Sequence, residues 1–461
     1  MPLIHRISFL KKILFLLFIL NLLVFNTFGQ AKPKVKKELP PREPNLELAK
    51  ENFTVGYYKA ALVEYLLLYN KDTTNVFANE RVGLCYLNTD IDKSKAVKYL
   101  EFVTEHPGEQ PQEVAQSWYN LAKAFQYAYR FDDAKFCFEK FKRLAGTKTS
   151  AISNITQEKK NINLFEFADR NIEMCDNAKE FMKNPVRVSF ENLGKMINSD
   201  ASDYFPFISQ DENLIIFTTR RKGVTGNFEA DDGSNTADIF HSTKLNGQWT
   251  KPKNMGANIN TTGDDEGVYV SEDGKHIFIY SENDIDFEDI ISASKPPKGK
   301  GFSPRKPLSE IINDKTNKES TGSITEDEKT LFFSSNNPKG TGEQDIYMSA
   351  KQADGQWGTP VNLGETINTS YNEEYPCISK DGKTMYFSSQ GHNSMGGYDL
   401  FKSVYDAAKQ KWSEPENLGY PINTPDDDKT ISFDGTRKVA YISAIRKEGM
   451  GERDIYRIVF E

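Results

Sequence analysis

The stretch 362–415 opens with Asn362-Leu363-Gly364, reaches Ile367-Asn368, and runs on as three short apolar segments at 375–379, 384–389 and 399–403 before Trp412 and Pro415 close it. The same landmarks start again, in the same order, at Asn192, Asn254, Leu308 and Asn417, at intervals of 62, 54, 54 and 55 residues. A period of this length whose contents are short strands predicts a radial array of small sheets rather than a row of independent domains.

The local chemistry within each repeat agrees with that reading. Asp273-Gly274, Asp381-Gly382 and Asp434-Gly435 fall between the first and second runs and read as hairpin turns, because glycine tolerates positive φ and aspartate bonds the turn backbone. Asp211-Glu212 and Asp327-Glu328 hold the same place without glycine, so those two turns are expected to be of another type. Second runs such as Leu331-Phe332-Phe333 and Ile277-Phe278-Ile279 are apolar on both faces, as a blade between two neighbours requires. An aspartate enters every third run: Asp238, Asp289, Asp345, Asp399 and Asp454. Five carboxylates at one topological position are read as structural acceptors for loop amides rather than as a metal or catalytic ring.

The last repeat stops at three runs, while residues 186–190 form an isolated strand pattern directly after the helical part. Two bare sheet edges would invite aggregation. Strand 186–190 is therefore expected to pair with the last repeat and close the ring.

Upstream, residues 45–183 change to helical period, and the helices come in pairs. Trp118, Leu121, Ala122 and Phe125 with Ala134, Phe138 and Phe141 make the clearest pair; Val82, Gly83, Tyr86, Ala96, Leu100 and Val103 make a second; Leu48, Ala49, Ala61, Tyr65 and Leu68 make a weaker third. Residues 155–182 read as one further helix that caps the stack. These offsets resemble the 34-residue tetratricopeptide (TPR) pattern. Carried onto this register, the resemblance implies a concave surface bearing Lys50, Phe53, Phe77, Glu80, Leu84, Tyr119, Lys123 and Gln126. Phe53, Phe77 and Leu84 read better as packing between helices, which leaves Lys50, Glu80, Tyr119, Lys123 and Gln126 as the expected partner-binding set.

Before the helices, Arg6, Lys11 and Lys12 precede an apolar run at 13–25, and Thr27-Phe28-Gly29 has the small residues of a signal-peptide cleavage site. Residues 1–29 are thus expected to be an export signal, and the Lys/Pro-rich 30–44 a linker. Without residues 1–29 the balance is 55 basic against 66 acidic side chains, or −11, which repels phosphate backbones and argues against nucleic acid as a partner. Cys85, Cys137, Cys175 and Cys377 lack paired spacing and are expected to be buried free thiols. There is no Gly-x-Ser-x-Gly elbow, no His-Glu-x-x-His and no phosphate-binding glycine loop, and His5, His106, His241, His276 and His392 are scattered. No catalytic residue, metal or cofactor is assigned. Asp284, Asp286, Glu288 and Asp289 form an acidic cluster without the spacing of a known Ca2+ loop, and the insertion 223–237 is a candidate contact loop.

Tyr375-Pro376, Ser379, Asp381-Gly382, Tyr386-Phe387-Ser388-Ser389, Gly396-Gly397 and Asp399-Leu400-Phe401 resemble the PD40 (WD40-like) repeat of TolB-type β-propellers. TPR pairs followed by PD40 repeats are similar to exported Bacteroidetes proteins, some of which accompany type IX secretion and gliding and carry an OmpA-like domain. No such domain follows the fifth repeat in this sequence, so peptidoglycan binding is not carried over. The expected architecture is α+β: an all-α TPR solenoid followed by an all-β propeller, five-bladed, with six blades as the alternative. The expected role is a non-enzymatic scaffold or adaptor for envelope proteins, in the periplasm or peripheral to the outer membrane. The alternative is a glycan- or peptide-binding, or cryptically hydrolytic, propeller.

Overall fold

The structure is a computed structural model and describes residues 42–146, 152–153, 162–227, 235–282, 289–297 and 301–461. The expected signal and nearly all of the linker, and Asp284, Asp286 and Glu288, lie outside the described residues, as does the 228–234 part of the insertion.

Six helices form three antiparallel pairs: α1 (Leu46–Thr54) with α2 (Tyr58–Lys71), α3 (Val76–Leu87) with α4 (Ala96–Glu105), and α5 (Pro111–Tyr127) with α6 (Phe131–Ala145). Asn45 and Asn75 cap α1 and α3, accepting from the backbone amides of Leu48 at 3.2 Å and Ala78 at 2.9 Å. Close approach of α3 to α4 depends on Gly83, where a Cβ would stand 2.6 Å from the Leu100 side chain. The seventh helix, α7 (Leu164–Lys183), begins later than the sequence suggests, because a two-residue ladder joins 152–153 to 162–163 ahead of it. Its Ala168, Cys175 and Ala178 complete one apolar core with Phe125, Phe138 and Phe141. Among the described residues no helix is long and apolar enough to cross a membrane.

The remainder is a five-bladed β-propeller. Blades 1 to 4 take their inner strands from Asp203–Ile208, Asp264–Val270, Glu319–Ile324 and Glu373–Ile378, and each runs outward in chain order through antiparallel neighbours. Blade 5 contributes Ile431–Phe433, Val439–Ala444 and Asp454–Phe460, and its outermost strand is Val188–Asn192, which precedes blade 1 in the chain. The two chain-distant segments pair from Tyr456↔Asn192 to Phe460↔Val188. That strand lies two residues beyond the 186–190 pattern, since Pro185 and Val186 belong to the exit from α7, and the amide of Val186 bonds the carbonyl of Tyr420 instead. The middles of the second strands are buried, with Leu331, Ile277, Ile279 and Phe333 at 1% exposure or less, so adjacent blades pack face to face.

The hairpin turns correct the sequence reading. Gly274 and Gly382 have φ of 67° and 66°, and Glu212 and Glu328 adopt the same left-handed conformation at 54° and 57°. These four turns are one type. A hydroxyl–carboxylate clamp enforces it: Ser209 Oγ donates to Asp211 at 2.6 Å and Thr325 Oγ1 to Asp327 at 2.8 Å, as Ser271 and Ser379 do to Asp273 and Asp381. Glu212 is further held by Arg457 and by the Tyr441 hydroxyl at 2.7 Å. In blade 5, despite Asp434-Gly435, the left-handed residue is Arg437.

Asparagines fasten the outer strands. Asn198, Asn260, Asn313, Asn368 and Asn423 each bracket one third-strand residue, accepting from its amide and donating to its carbonyl; for Asn368 and Ile346 the distances are 2.8 and 3.0 Å. The blade aspartates complete this clamp. Asp238, Asp345, Asp399 and Asp454 are buried and accept from the loop amides before their strands and from Asn254, Asn362, Asn417 and Asn192 of the outer strands. Asp289 is half-buried. One oxygen each of Asp238, Asp399 and Asp454 has no partner among the described residues, and burial pushes Asp399 up to about 7. Asp399→Ala is expected to cost about 1–3 kcal/mol by stranding the Met395 amide and the Asn417 side chain. Asp399→Asn, which keeps an acceptor, should retain most of the stability; denaturant melts of the pair check this.

Candidate functional site

The helices dock on the propeller face where the inner strands begin. The turn between α3 and α4 brings Asp90 over the channel, 3.7 Å from the Arg453 guanidinium and within reach of the Ser202 hydroxyl at 3.4 Å. Lys93 pairs with Asp426, and Lys59, at the start of α2, pairs with Glu452. On the other flank Arg170 of α7, only 4% exposed, donates to the carbonyls of Gln390 at 2.8 Å and Gly391 at 2.7 Å, and Asn177 donates to that of Ser394 at 3.0 Å. Met395 of blade 4 is buried in the helical core itself. The stack and the propeller are one compact unit from Pro44 to Glu461.

That docking overturns part of the expected groove. Lys123 donates to Asn171 of α7 at 3.0 Å and to Gln126 at 3.1 Å; Gln126 is fully buried. Tyr119 packs edge-on against Phe138 and Phe141, and burial raises its phenol. The chain's own α7 covers the concave surface here, so Gln126 is internal and Tyr119 and Lys123 are half-buried with partners within the stack. Lys50 is exposed and Glu80 half-buried beside Arg81, leaving the first two helical pairs as the open part of the groove. Phe53 and Phe77, expected to pack between helices, sandwich the Arg81 guanidinium at 4.7 and 5.3 Å.

Beneath Asp90 the channel opens into a cavity of about 220 Å3. Its floor is Phe205 and Tyr375, ring centroids 5.2 Å apart, at equivalent inner-strand positions of blades 1 and 4. Both lie in β-bulges with φ of 49° and 54°, a conformation that costs a bulky residue about 1–3 kcal/mol. The walls are ionic. Arg220 meets Asp264 at 2.8 Å and Glu266 at 3.5 Å, and Glu266 accepts from the Tyr204 hydroxyl at 2.5 Å. Lys429 lies 3.8 Å from Asp427 and over the rings of Tyr375 and Tyr398. Burial raises Glu266; burial would also raise Asp427 and Asp90, but Lys429 and Lys93 hold the first below its ordinary value and Arg453 the second. Below the floor is an apolar chamber of about 50 Å3 that includes Phe207, Tyr269 and Ile431. The opposite mouth is bridged by Glu272, which accepts from the Lys380 amide, Gln210 and Arg437 of three other blades at 3.1, 3.2 and 3.2 Å.

A second ring of acids escaped the sequence reading. Asp203, Asp265, Glu319, Glu373 and Asp428, all buried, stand at or within three residues of the start of the inner strands and accept from the turn amides of Ser199, Thr261, Asp314, Thr369 and Thr424. Each lies 11 residues after the landmark that opens its repeat, a constant offset that was open to detection. Burial pushes Glu319 and Glu373 up to about 7, from an ordinary 4.5. Folded protein therefore holds more protons than unfolded chain between those values, and this stabilisation is complete below 4.5 and lost as pH rises through about 7. The turn carboxylates Asp211, Asp273 and Asp381 are depressed to about 2, the last two against their own desolvation, and act oppositely, losing their contribution as pH falls toward 2. Melting temperature is expected to be higher at mildly acidic pH than at pH 8, and Glu373→Gln should flatten that slope.

The four cysteines are unpaired, and burial raises each thiol to about 12, which leaves them unreactive at neutral pH. Among the described residues no cluster of His, Cys, Asp and Glu could hold a metal ion.

The class this geometry defines is a five-bladed propeller with a helical stack fixed across one mouth. No family model matches the chain, and no curated protein matches it. Solved structures similar to it include a glycoside hydrolase (11% identity, 62% of this chain and 95% of that one, TM-score 0.42) and TolB from Acinetobacter baumannii (12%, 64% and 70%, TM-score 0.36). A protein of unknown function from Dyadobacter fermentans is also similar (9%, 56% and 75%, TM-score 0.33). These likenesses are too distant to assign an activity.

Proposed function

We propose that this chain is a non-enzymatic adaptor of the cell envelope, exported to the periplasm or held at the outer membrane, which binds protein partners through the open end of its helical groove and the adjoining propeller face. The export pattern at 1–29 and the resemblance to secretion-associated TPR–PD40 proteins support the location, and type IX secretion or outer-membrane assembly is the machinery it would serve. The observation that carries the reading is the buried joint: Arg170, Lys93–Asp426 and Lys59–Glu452 hold two interaction modules in a fixed relation, as simultaneous contact with two partner surfaces needs. The carboxylates around the channel mouth are engaged in ion pairs and hydrogen bonds, which supports the non-enzymatic reading.

Photoreactive residues placed at Lys50 and, separately, at Met196, which is exposed just before the inner strand of blade 1, test this in intact cells. Capture of an envelope protein at both sites in the wild type, with capture lost when Arg170 is replaced by methionine, is the expected result. Capture at neither site, or unchanged capture in the Arg170 variant, would count against it.

A further inference from the structure

The cavity at the channel mouth holds features that the adaptor reading does not use. Its floor is a pair of aromatic rings whose backbones are both in the left-handed conformation, at the same bulge of two non-adjacent blades. Strain repeated at one level of a channel is retained where it positions side chains for contact. Thr430 takes this position in blade 5 and lines the chamber below the floor, its buried hydroxyl without a partner among the described residues. Around the floor stand three cations and three carboxylates: Arg220, Lys429 and Arg453 with Glu266, Asp427 and Asp90.

The pairing within those walls selects the ligand. An anion would meet an excess of carboxylate, since Asp264 joins Arg220 at 2.8 Å and Asp426 lies 4.0 Å from Arg453, and a cation would find each carboxylate already engaged. A zwitterion needs a cation and a carboxylate that lack partners, and here each cation already has a carboxylate within 4 Å: Arg220 with Glu266 at 3.5 Å, Arg453 with Asp90 at 3.7 Å and Lys429 with Asp427 at 3.8 Å. The last two separations are too long for a hydrogen bond and admit a bridging group. A hydroxyl both donates and accepts, so it inserts into such a pair without unbalancing it. A ring bearing several hydroxyls around a C–H face, set on an aromatic floor, satisfies both open pairs together.

We infer that the channel-mouth cavity is a binding site for a neutral monosaccharide unit, with Phe205 and Tyr375 as its platform and the Lys429–Asp427 and Arg453–Asp90 pairs as its hydroxyl partners. The inference stands apart from the adaptor reading, since it concerns a small ligand inside the joint and not a protein on its surface.

Saturation-transfer NMR and calorimetry on the full chain with D-glucose, D-galactose and N-acetyl-D-glucosamine, and with glycine and inorganic phosphate as controls, test it. At least one sugar should bind saturably, the controls should not, and Lys429→Met should weaken the sugar at least tenfold. Asp427→Asn, whose shape is unchanged, should weaken it likewise, and melting curves of both variants confirm that they remain folded. Binding of none of the sugars, binding of the controls alone, or wild-type affinity in the two folded variants would overturn the inference. Cross-linking from Lys50 in the same variants reports on the adaptor reading separately.

Discussion

Replacing Phe190 with alanine and Glu191 with proline in one variant is expected to lower the melting temperature by roughly 10 °C, equivalent to about 4 kcal/mol. Phe190 sits in the middle of the closing strand, opposite Ile458, with its ring 6.5 Å from that of Tyr456 and 3.5 Å beneath the Arg446 guanidinium. Alanine removes that ring, and proline at 191, opposite Arg457 in a hydrogen-bonded pair, removes a ladder donor. The effect exceeds that of an equivalent change on another outer strand, because this pairing ties residues before blade 1 to those at the end of blade 5 and so closes the ring. Hydrogen exchange would show the loss first in 454–460 and its partner, while blades 2 and 3 stay protected. Uniform protection across all blades in a folded variant would mean that closure adds little.

Arg170→Met should be nearly as costly, about 3 kcal/mol, since it strands the Gln390 and Gly391 carbonyls in a buried contact and removes the stacking of the guanidinium on Tyr371 at 4.9 Å. Methionine fills a similar volume, so the loss reports on polar partners rather than on a cavity. Its signature is local: trypsin should cut faster at Lys183 and Arg187, both exposed between α7 and the closing strand, before the propeller unfolds. An unchanged cleavage rate would show that α7 is held by apolar contact alone.

The propeller was legible because each blade repeats its own punctuation. The outer-strand asparagine, the clamp residue exemplified by Asn368 and the entry aspartate exemplified by Asp399 recur at near-constant spacing, and each acts within one blade, where sequence separation stays short. The hairpins at Glu212 and Glu328 were misread because glycine was taken as the determinant, whereas the Ser/Thr–Asp clamp sets the turn. The groove was only half legible. Tyr119, Lys123 and Gln126 occupy helix positions that face a groove in an isolated stack, and nothing local shows that a helix 48 residues beyond Lys123 will cover them. The channel floor was not legible either, since Phe205 and Tyr375 stand at equivalent places in their repeats but meet only when the ring closes. Properties that arise from closure and docking are written in no single repeat.

The claim on which the rest depends is that stack and propeller move as one body. Spin labels on cysteines introduced at Val63 of α2 and Leu245 of blade 1, 54% and 67% exposed, in a chain whose four native cysteines are replaced by serine, would read it directly by pulsed electron resonance. One narrow distance distribution, broadening in the Arg170 variant, is the predicted result. A broad or two-peaked distribution in the wild-type protein would contradict it.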